Sequence, residues 1–200
     1  MGVAPPRLWL NGLGSIAVLI IVAAIGIGLP ALDRAVAADR PLRAGAAYLV
    51  GAGVSLVPPA GATLDAGRTR PGRDRGTAVF RVGALRLAVQ AATYDGLLPA
   101  AAARLRTKLT VGAGCQIVGT EQPAVTTSGV PGVQGRYLNG QRAGRYAVYV
   151  ASGVAVEATV EGPLGTTNES APQSLASTAP QSLASMALQS LASITIGSRR

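Results

Sequence analysis

Three consecutive runs late in the chain alternate so regularly that they admit one local geometry. Val154, Val156, Ala158 and Val160 are separated by Ala155, Glu157, Thr159 and Glu161, and the runs Val133–Leu138 and Arg145–Val150 precede them across Asn139-Gly140 and Ser152-Gly153. A two-residue period sends successive side chains to opposite faces, as in a β-strand. Asn-Gly accepts the positive φ values of a type I′ turn at low cost, so the spacing predicts a three-stranded meander. The same period recurs at Leu85, Leu87, Val89 and Ala91, with Arg86, Ala88 and Gln90 facing the other way. Val79 and Arg81-Val82, ahead of Gly83-Ala84, supply the partner, and residues 77–92 read as a hairpin. From Tyr48 to about Gly162 the pattern is that of an antiparallel sheet with one solvated face, and Glu157 and Glu161 fall on the outward face.

Between the two sheet segments the period changes. Leu98, Ala102, Leu105 and Leu109 recur at helical spacing, with Arg104, Arg106 and Lys108 on the opposite side. Asp95 is placed to cap this helix, Pro99 fits its first turn, and Gly112 and Gly114 end it. Cys115 to Val125 reads as a further strand, interrupted at Pro123.

The two ends of the chain are different in kind. Leu8 to Leu32 is 25 residues without a charge, with Trp9 at one end and Pro30 near the other. A helix rises ~1.5 Å per residue, so this length crosses a ~30 Å hydrocarbon core. The segment reads as a membrane-inserting helix, either an uncleaved anchor or a signal removed after Ala35-Val36-Ala37, whose small-x-small form suits signal peptidase. At the other end an octad is written three times: Ala171-Pro-Gln-Ser-Leu-Ala-Ser-Thr178, Ala179-Pro-Gln-Ser-Leu-Ala-Ser-Met186 and Ala187-Leu-Gln-Ser-Leu-Ala-Ser-Ile194. Eight residues advance a helix by ~800°, so the repeated leucines drift and form no coiled-coil stripe. The expectation is a closing helix from Pro180 to Ser193 that packs Leu183, Met186, Ala187, Leu191 and Ile194 on the sheet.

Composition narrows the chemistry. The chain has no histidine, which removes His-ligated zinc, Ser-His and Cys-His nucleophile pairs and imidazole acid–base work. Its single cysteine, Cys115, removes disulfide scaffolds and thiolate clusters and reads as a small buried hydrophobe. Gly51-Ala-Gly53 reads as a turn, since Leu56 stands where a dinucleotide loop needs its third glycine. No P-loop, zinc-protease, nucleophile-elbow or EF-hand pattern occurs. Carboxylates drawn from Asp95, Glu121, Glu157 and Glu161 are the remaining route to catalysis. The net charge is +9, and its densest feature is the loop carrying Arg68, Arg70, Arg73 and Arg75, which is a candidate contact for polyanions. Without interleaved aromatics these arginines do not form a nucleic-acid site.

The succession Tyr48-Leu-Val-Gly-Ala-Gly-Val-Ser-Leu-Val-Pro-Pro-Ala-Gly-Ala62, the hairpin, the Leu- and Arg-bearing helix, Thr127–Gly135 and Gly144–Val150 before Gly162-Pro163 resembles small exported or single-pass membrane proteins of actinobacteria. These carry a Mog1/PsbP-like α/β sandwich. The resemblance implies a proline-glycine loop after the first strand and a helix that closes the domain. It departs from the pattern at Ala62, where an aromatic is usual, and it carries no catalytic residues onto this chain. The reading is an α+β protein: tail 1–7, transmembrane helix or signal anchor 8–32, linker 33–45, extracytoplasmic domain 46–165 with about six antiparallel strands, and octad tail 166–200 with the second of two helices. The expected role is a non-catalytic envelope protein of the plasma membrane, without cofactor or metal and with no nucleic acid partner. It would meet the membrane, anionic lipid, a cell-wall polymer or an envelope protein. The alternatives are a secreted protein and an envelope enzyme using carboxylates.

Overall fold

Eleven strands form among the residues described by the computed structural model, 40–164 and 189–197. Four short ones come first: β1 (Arg40–Pro41), β2 (Tyr48–Gly51), β3 (Val54–Leu56) and β4 (Thr63–Leu64). The hairpin β5 (Arg75–Val82) and β6 (Leu85–Thr93) follows, then helix α1 (Leu98–Thr107), which runs into a π-turn over Lys108–Gly112. The long strands β7 (Gln116–Val125), β8 (Pro131–Asn139), β9 (Arg142–Ala151) and β10 (Val154–Pro163) complete the run. Residues 189–192 are helical and lead to β11 (Thr195–Ile196). The expected membrane segment, the cleavage site after Ala37, the first two octads and most of the closing helix lie outside the described residues. No helix among the described residues is long and apolar enough to cross a membrane.

The meander and the early hairpin join into one sheet. After β8, β9 and β10, the last strand pairs back along β6, from Val154 opposite Thr93 to Glu161 opposite Arg86. The result is an eight-stranded antiparallel sheet in the order β1-β4-β5-β6-β10-β9-β8-β7, beside a three-stranded sheet in the order β11-β3-β2. The surplus over six strands is made of pairings two to four residues long, too short for a sequence period to register.

Contrary to the expected single solvated face, the large sheet is covered on both. One face carries Phe80, Leu87, Val89, Val156 and Val160, which cluster with Val50, Val54 and Leu56 of the small sheet and with Leu191 and Ile194 from the C-terminal segment. Leu191 and Ile194 thus pack on the sheet as expected of the closing segment. The opposite face carries Tyr137, Tyr146 and Val148, on which α1 sets Ala101, Ala102, Leu105 and the following Leu109. The helix therefore roofs the face that Glu157 was expected to present to water, and Glu157 is buried.

Three smaller expectations also change. The β8–β9 loop is Gly140-Gln141, not Asn139-Gly140, because Asn139 pairs with Arg142. Only Gly140 has positive φ there, a requirement of a II′ turn, whereas Ser152-Gly153 between β9 and β10 has both residues at positive φ, as type I′ demands. Asp95 does not cap α1: the helix starts at Leu98 behind Leu97, so the carboxylate stands too far upstream, while Pro99 occupies the first turn as expected. β7 runs through Pro123, which pairs with Val133, and its irregularity lies instead between Val118 and Gln122. Proline is tolerated because β7 is an edge strand.

Glycine inside a strand leaves a gap on the pleated surface, and on β8 and β9 three such gaps are filled from across the ladder. Tyr149 stands opposite Gly132, Tyr146 opposite Gly135 and Tyr137 opposite Gly144. A side chain at any of these glycines would collide with the facing ring. The pairing fixes three of the five tyrosines on β8 and β9.

Candidate functional site

Register builds the site. Arg75, Ala92 and Ala155 lie in one row across β5, β6 and β10, and Thr77, Gln90 and Glu157 form the next row. The two alanines leave a hollow, and α1 overhangs it with Arg104 and Lys108, four residues apart and so on one side of the helix. Arg75, Gln90, Ala92, Thr93, Arg104, Lys108, Ala155 and Glu157 enclose an open cleft of about 280 Å³.

Glu157 is the charge at its base. Arg104 donates from Nε at 3.1 Å and Nη2 at 2.9 Å to Oε1, and Lys108 Nζ donates to Oε2 at 2.6 Å. The carboxylate is 6% exposed, whereas the Arg104 and Lys108 side chains are 44% and 48% exposed. A buried carboxylate without such partners would carry a heavy desolvation penalty, so the two cations are held where they are. Arg104 is also fixed by stacking over the Tyr94 ring, 4.9 Å from its centroid. Lys108 Nζ further lies 3.5 Å from Gln90 Oε1. Arg75 has no side-chain hydrogen bond or ion pair among the described residues. Three cations against one carboxylate leave the cleft with an excess of two positive charges.

The four arginines singled out in the sequence are exposed but do not act as one patch. Arg68 is drawn back to Asp65, its N–H donating to Oδ1 at 3.1 Å and its Nε lying 4.0 Å from Oδ2. Arg70 spends Nη1 on the carbonyls of Thr69 at 2.8 Å and Ala66 at 3.2 Å. Arg73 stays at the loop surface, and Arg75, at the start of β5, lines the helix-side cleft. The partners that complete the cleft, Arg104, Lys108, Gln90 and Glu157, were not grouped from sequence. The available signal was the i, i+4 spacing of Arg104 and Lys108 together with the alternation that puts Glu157 on the helix-facing side.

The other glutamates among the described residues each have their own partners. Glu121 accepts from Arg106 Nη1 at 2.9 Å and from the Tyr146 hydroxyl at 2.7 Å, and Glu161 pairs with Arg142 Nε at 3.2 Å. Cys115 is 6% exposed, and burial, then the nearby Glu161 charge, pushes its thiol pKa up. A raised pKa lowers the thiolate fraction, which is the wrong direction for a nucleophile. Among the described residues no three Cys, Asp or Glu side chains gather as a metal site.

Burial raises the pKa of Tyr48, Tyr137, Tyr146 and Tyr149, with the Glu121 hydrogen bond adding to the shift at Tyr146 and the Glu161 charge adding to that at Tyr137. The native state therefore holds these protons where the unfolded chain releases them. Their contribution to stability is present below the unfolded value near pH ~10 and is lost as pH rises from there toward the folded values. In an alkaline titration, tyrosinate absorbance from these four residues is expected to appear late and together with loss of β-sheet circular dichroism. Independent ionisation near pH ~10 with the sheet intact would contradict the packing around them.

No protein-family model matches this sequence, and no curated protein matches it. Among solved structures the chain is similar to the solution structure of cyanobacterial PsbP (CyanoP) from Synechocystis sp. PCC 6803. The identity is 11%, the match covers 72% of this chain and 87% of that chain, and the TM-score is 0.47. It is also similar to a crystal structure from Bacteroides thetaiotaomicron VPI-5482, at 12% identity over 78% of this chain and 49% of that chain, with a TM-score of 0.39. These likenesses concern backbone arrangement alone and bring no ligand, partner or activity with them.

Proposed function

We propose that this chain is a non-catalytic, membrane-anchored binding module that holds a basic α/β domain outside the cytoplasm and captures oxyanions, the phosphate or carboxylate groups of anionic lipid or cell-wall polymer. The observation that carries the binding role is the cleft in which Arg104 and Lys108 converge on a single buried carboxylate while Arg75 lines the same hollow. A guanidinium with no side-chain partner among the described residues, beside two cations already oriented by Glu157, is arranged to receive an acceptor. Arg73, exposed two residues before Arg75, extends the positive surface along which a polymer would lie. The non-catalytic role is supported by the separate partners of Glu121, Glu157 and Glu161 and by the suppressed thiol of Cys115. The anchor is supported by the 25 uncharged residues Leu8–Leu32.

Both halves are open to direct test. The full chain should remain in the membrane fraction after carbonate washing, and a chain lacking residues 1–38 should be released. Recovery of the full chain in the soluble fraction would remove the anchor. Mature protein beginning at Ala38 would assign the segment as a cleaved signal, the reading that Ala35-Val36-Ala37 favours. For binding, phosphatidylcholine vesicles with and without phosphatidylglycerol are compared with soluble polyphosphate. Retention by phosphatidylglycerol alone identifies lipid, and retention by polyphosphate identifies a soluble polymer. Binding to neither, or equal binding to neutral vesicles, sinks the oxyanion reading.

A further inference from the structure

The octad occurs three times, and the seat that holds its last copy reads features that the other copies repeat. Leu191 and Ile194 are 3% and 0% exposed in the core beneath the small sheet. Ser193 Oγ accepts the Val57 N–H at 2.9 Å and donates to the Ser190 carbonyl at 2.7 Å. Thr127 donates from its N–H at 2.7 Å and its hydroxyl at 3.0 Å to the Ala192 carbonyl, and Ser128 Oγ donates to the Ile194 carbonyl at 3.1 Å. Thr195 and Ile196 then pair with Ser55 and Val54. Of the residues in the seat, Gln189-Ser-Leu-Ala-Ser193 is written identically at Gln181–Ser185 and Gln173–Ser177.

We propose that this seat is a binding site for the octad as such, and that the second copy, Gln181–Leu188, exchanges with Gln189–Ile196 in the same chain. Placed in that register, Leu183 takes the position of Leu191 and Ser185 that of Ser193. Met186 replaces Ile194, a volume-conserving exchange with an adaptable side chain of the kind that cores tolerate best. Ala187 and Leu188 replace Thr195 and Ile196 at the sheet edge, where the main chain does the pairing. The first copy fails the same comparison: Thr178 would bring a hydroxyl to the fully buried Ile194 position, and Pro180 would fall at Ile196 without an N–H to offer. The connection also permits the exchange. Seventeen residues, 164–180, would remain between the end of β10 and the seat, and they reach up to ~56 Å when extended. A domain with a radius of gyration near ~14 Å is narrower than that. The exchange shortens the connection by one octad and frees residues 189–200, with Arg199 and Arg200, into the terminal tail. It is independent of the oxyanion reading.

The test is a cycle of substitutions in the full chain, held in mild detergent and unfolded with urea. Under exchange, Leu183→Ala alone leaves the midpoint unchanged, because the third copy is seated. Leu191→Ala lowers it only partly, because the second copy moves in. The double variant lowers it at least twice as far as Leu191→Ala does, or fails to fold. Met186→Asp, which bars the second copy from the buried position, should reproduce this conditional loss in the Leu191→Ala background, and Leu175→Ala should not. The proposal is overturned if Leu191→Ala by itself abolishes folding, if Leu183→Ala lowers the midpoint alone, or if the two effects simply add. A rescue that strengthens with protein concentration also overturns it, because the replacing octad would then come from another molecule.

Discussion

Replacing Gly76 by valine is expected to lower the thermal midpoint of the full chain by more than ~10 °C, corresponding to a loss above ~3 kcal/mol. Gly76 lies on β5, where β2 of the small sheet crosses closest to the large one. A Cβ there would overlap the Val50 carbonyl oxygen and lie 2.8 Å from the Gly51 Cα. These are main-chain atoms, so no side chain can swing aside to make room. Relief requires β2 to move off β5, and β2 carries Val50 (0% exposed) into the cluster with Phe80 and Val54. The same contact steadies the basic loop, because Gly51 bridges Gly72 and the Ala52 N–H donates to the Gly72 carbonyl at 3.2 Å. Gly112→Ala is the control: a Cβ at Gly112 meets nothing within 4 Å, and its expected effect is within about ±0.5 kcal/mol. If Gly76→Val melted with the wild type, the small sheet could not cross the large one where it does.

That crossing marks the boundary of what the sequence discloses. Long alternating runs determine their own geometry, so β5, β6 and the β8–β10 meander are readable from Leu85–Ala91 and Val154–Val160. The helix over Leu98–Leu109 is readable because its apolar stripe is complete within the segment. By contrast, β2 and β3 pair locally over strands too short to show a period, and β11 joins β3 through partners more than a hundred residues apart, such as Ile196 with Val54, which no local period encodes. The misplacement of Glu157 has the same origin. Its alternation identifies a face, yet whether that face meets water depends on where α1 returns, which is a property of the whole chain. The cleft likewise joins residues from β5, β6, β10 and α1. The basic loop stood out because its arginines are close in sequence, whereas Arg104 and Lys108 owe their convergence to a fold in which Arg75 reaches the same hollow.

Two substitutions in that hollow should move oxyanion binding in opposite directions. Arg75→Gln removes a cation that has no side-chain partner among the described residues, so the affinity for polyphosphate should fall about 3- to 10-fold while stability stays within about 0.5 kcal/mol. Glu157→Gln keeps the shape of the side chain but removes the negative charge between Arg104 and Lys108, so affinity should rise by a similar factor. Both magnitudes lie toward the aqueous limit for one unit charge about 5 Å from the bound group, worth ~0.8 kcal/mol in water against ~3 kcal/mol at an effective dielectric of ~20, because the cleft is open to solvent. Salt near 0.15 M, with a screening length of ~8 Å, should narrow both differences. Glu157→Gln is also expected to lose about 1–3 kcal/mol of stability, because the hydrogen bonds at 2.6 and 2.9 Å lose their charge assistance inside a site that is 6% exposed. Stability and affinity therefore separate in this variant: a weaker fold that binds more tightly. Polyphosphate titrations monitored by calorimetry, with urea midpoints measured on the same preparations, read both quantities. A Glu157→Gln protein that bound more weakly than the wild type would make the glutamate part of the ligand's contacts rather than its competitor, and would remove the cleft as an oxyanion site.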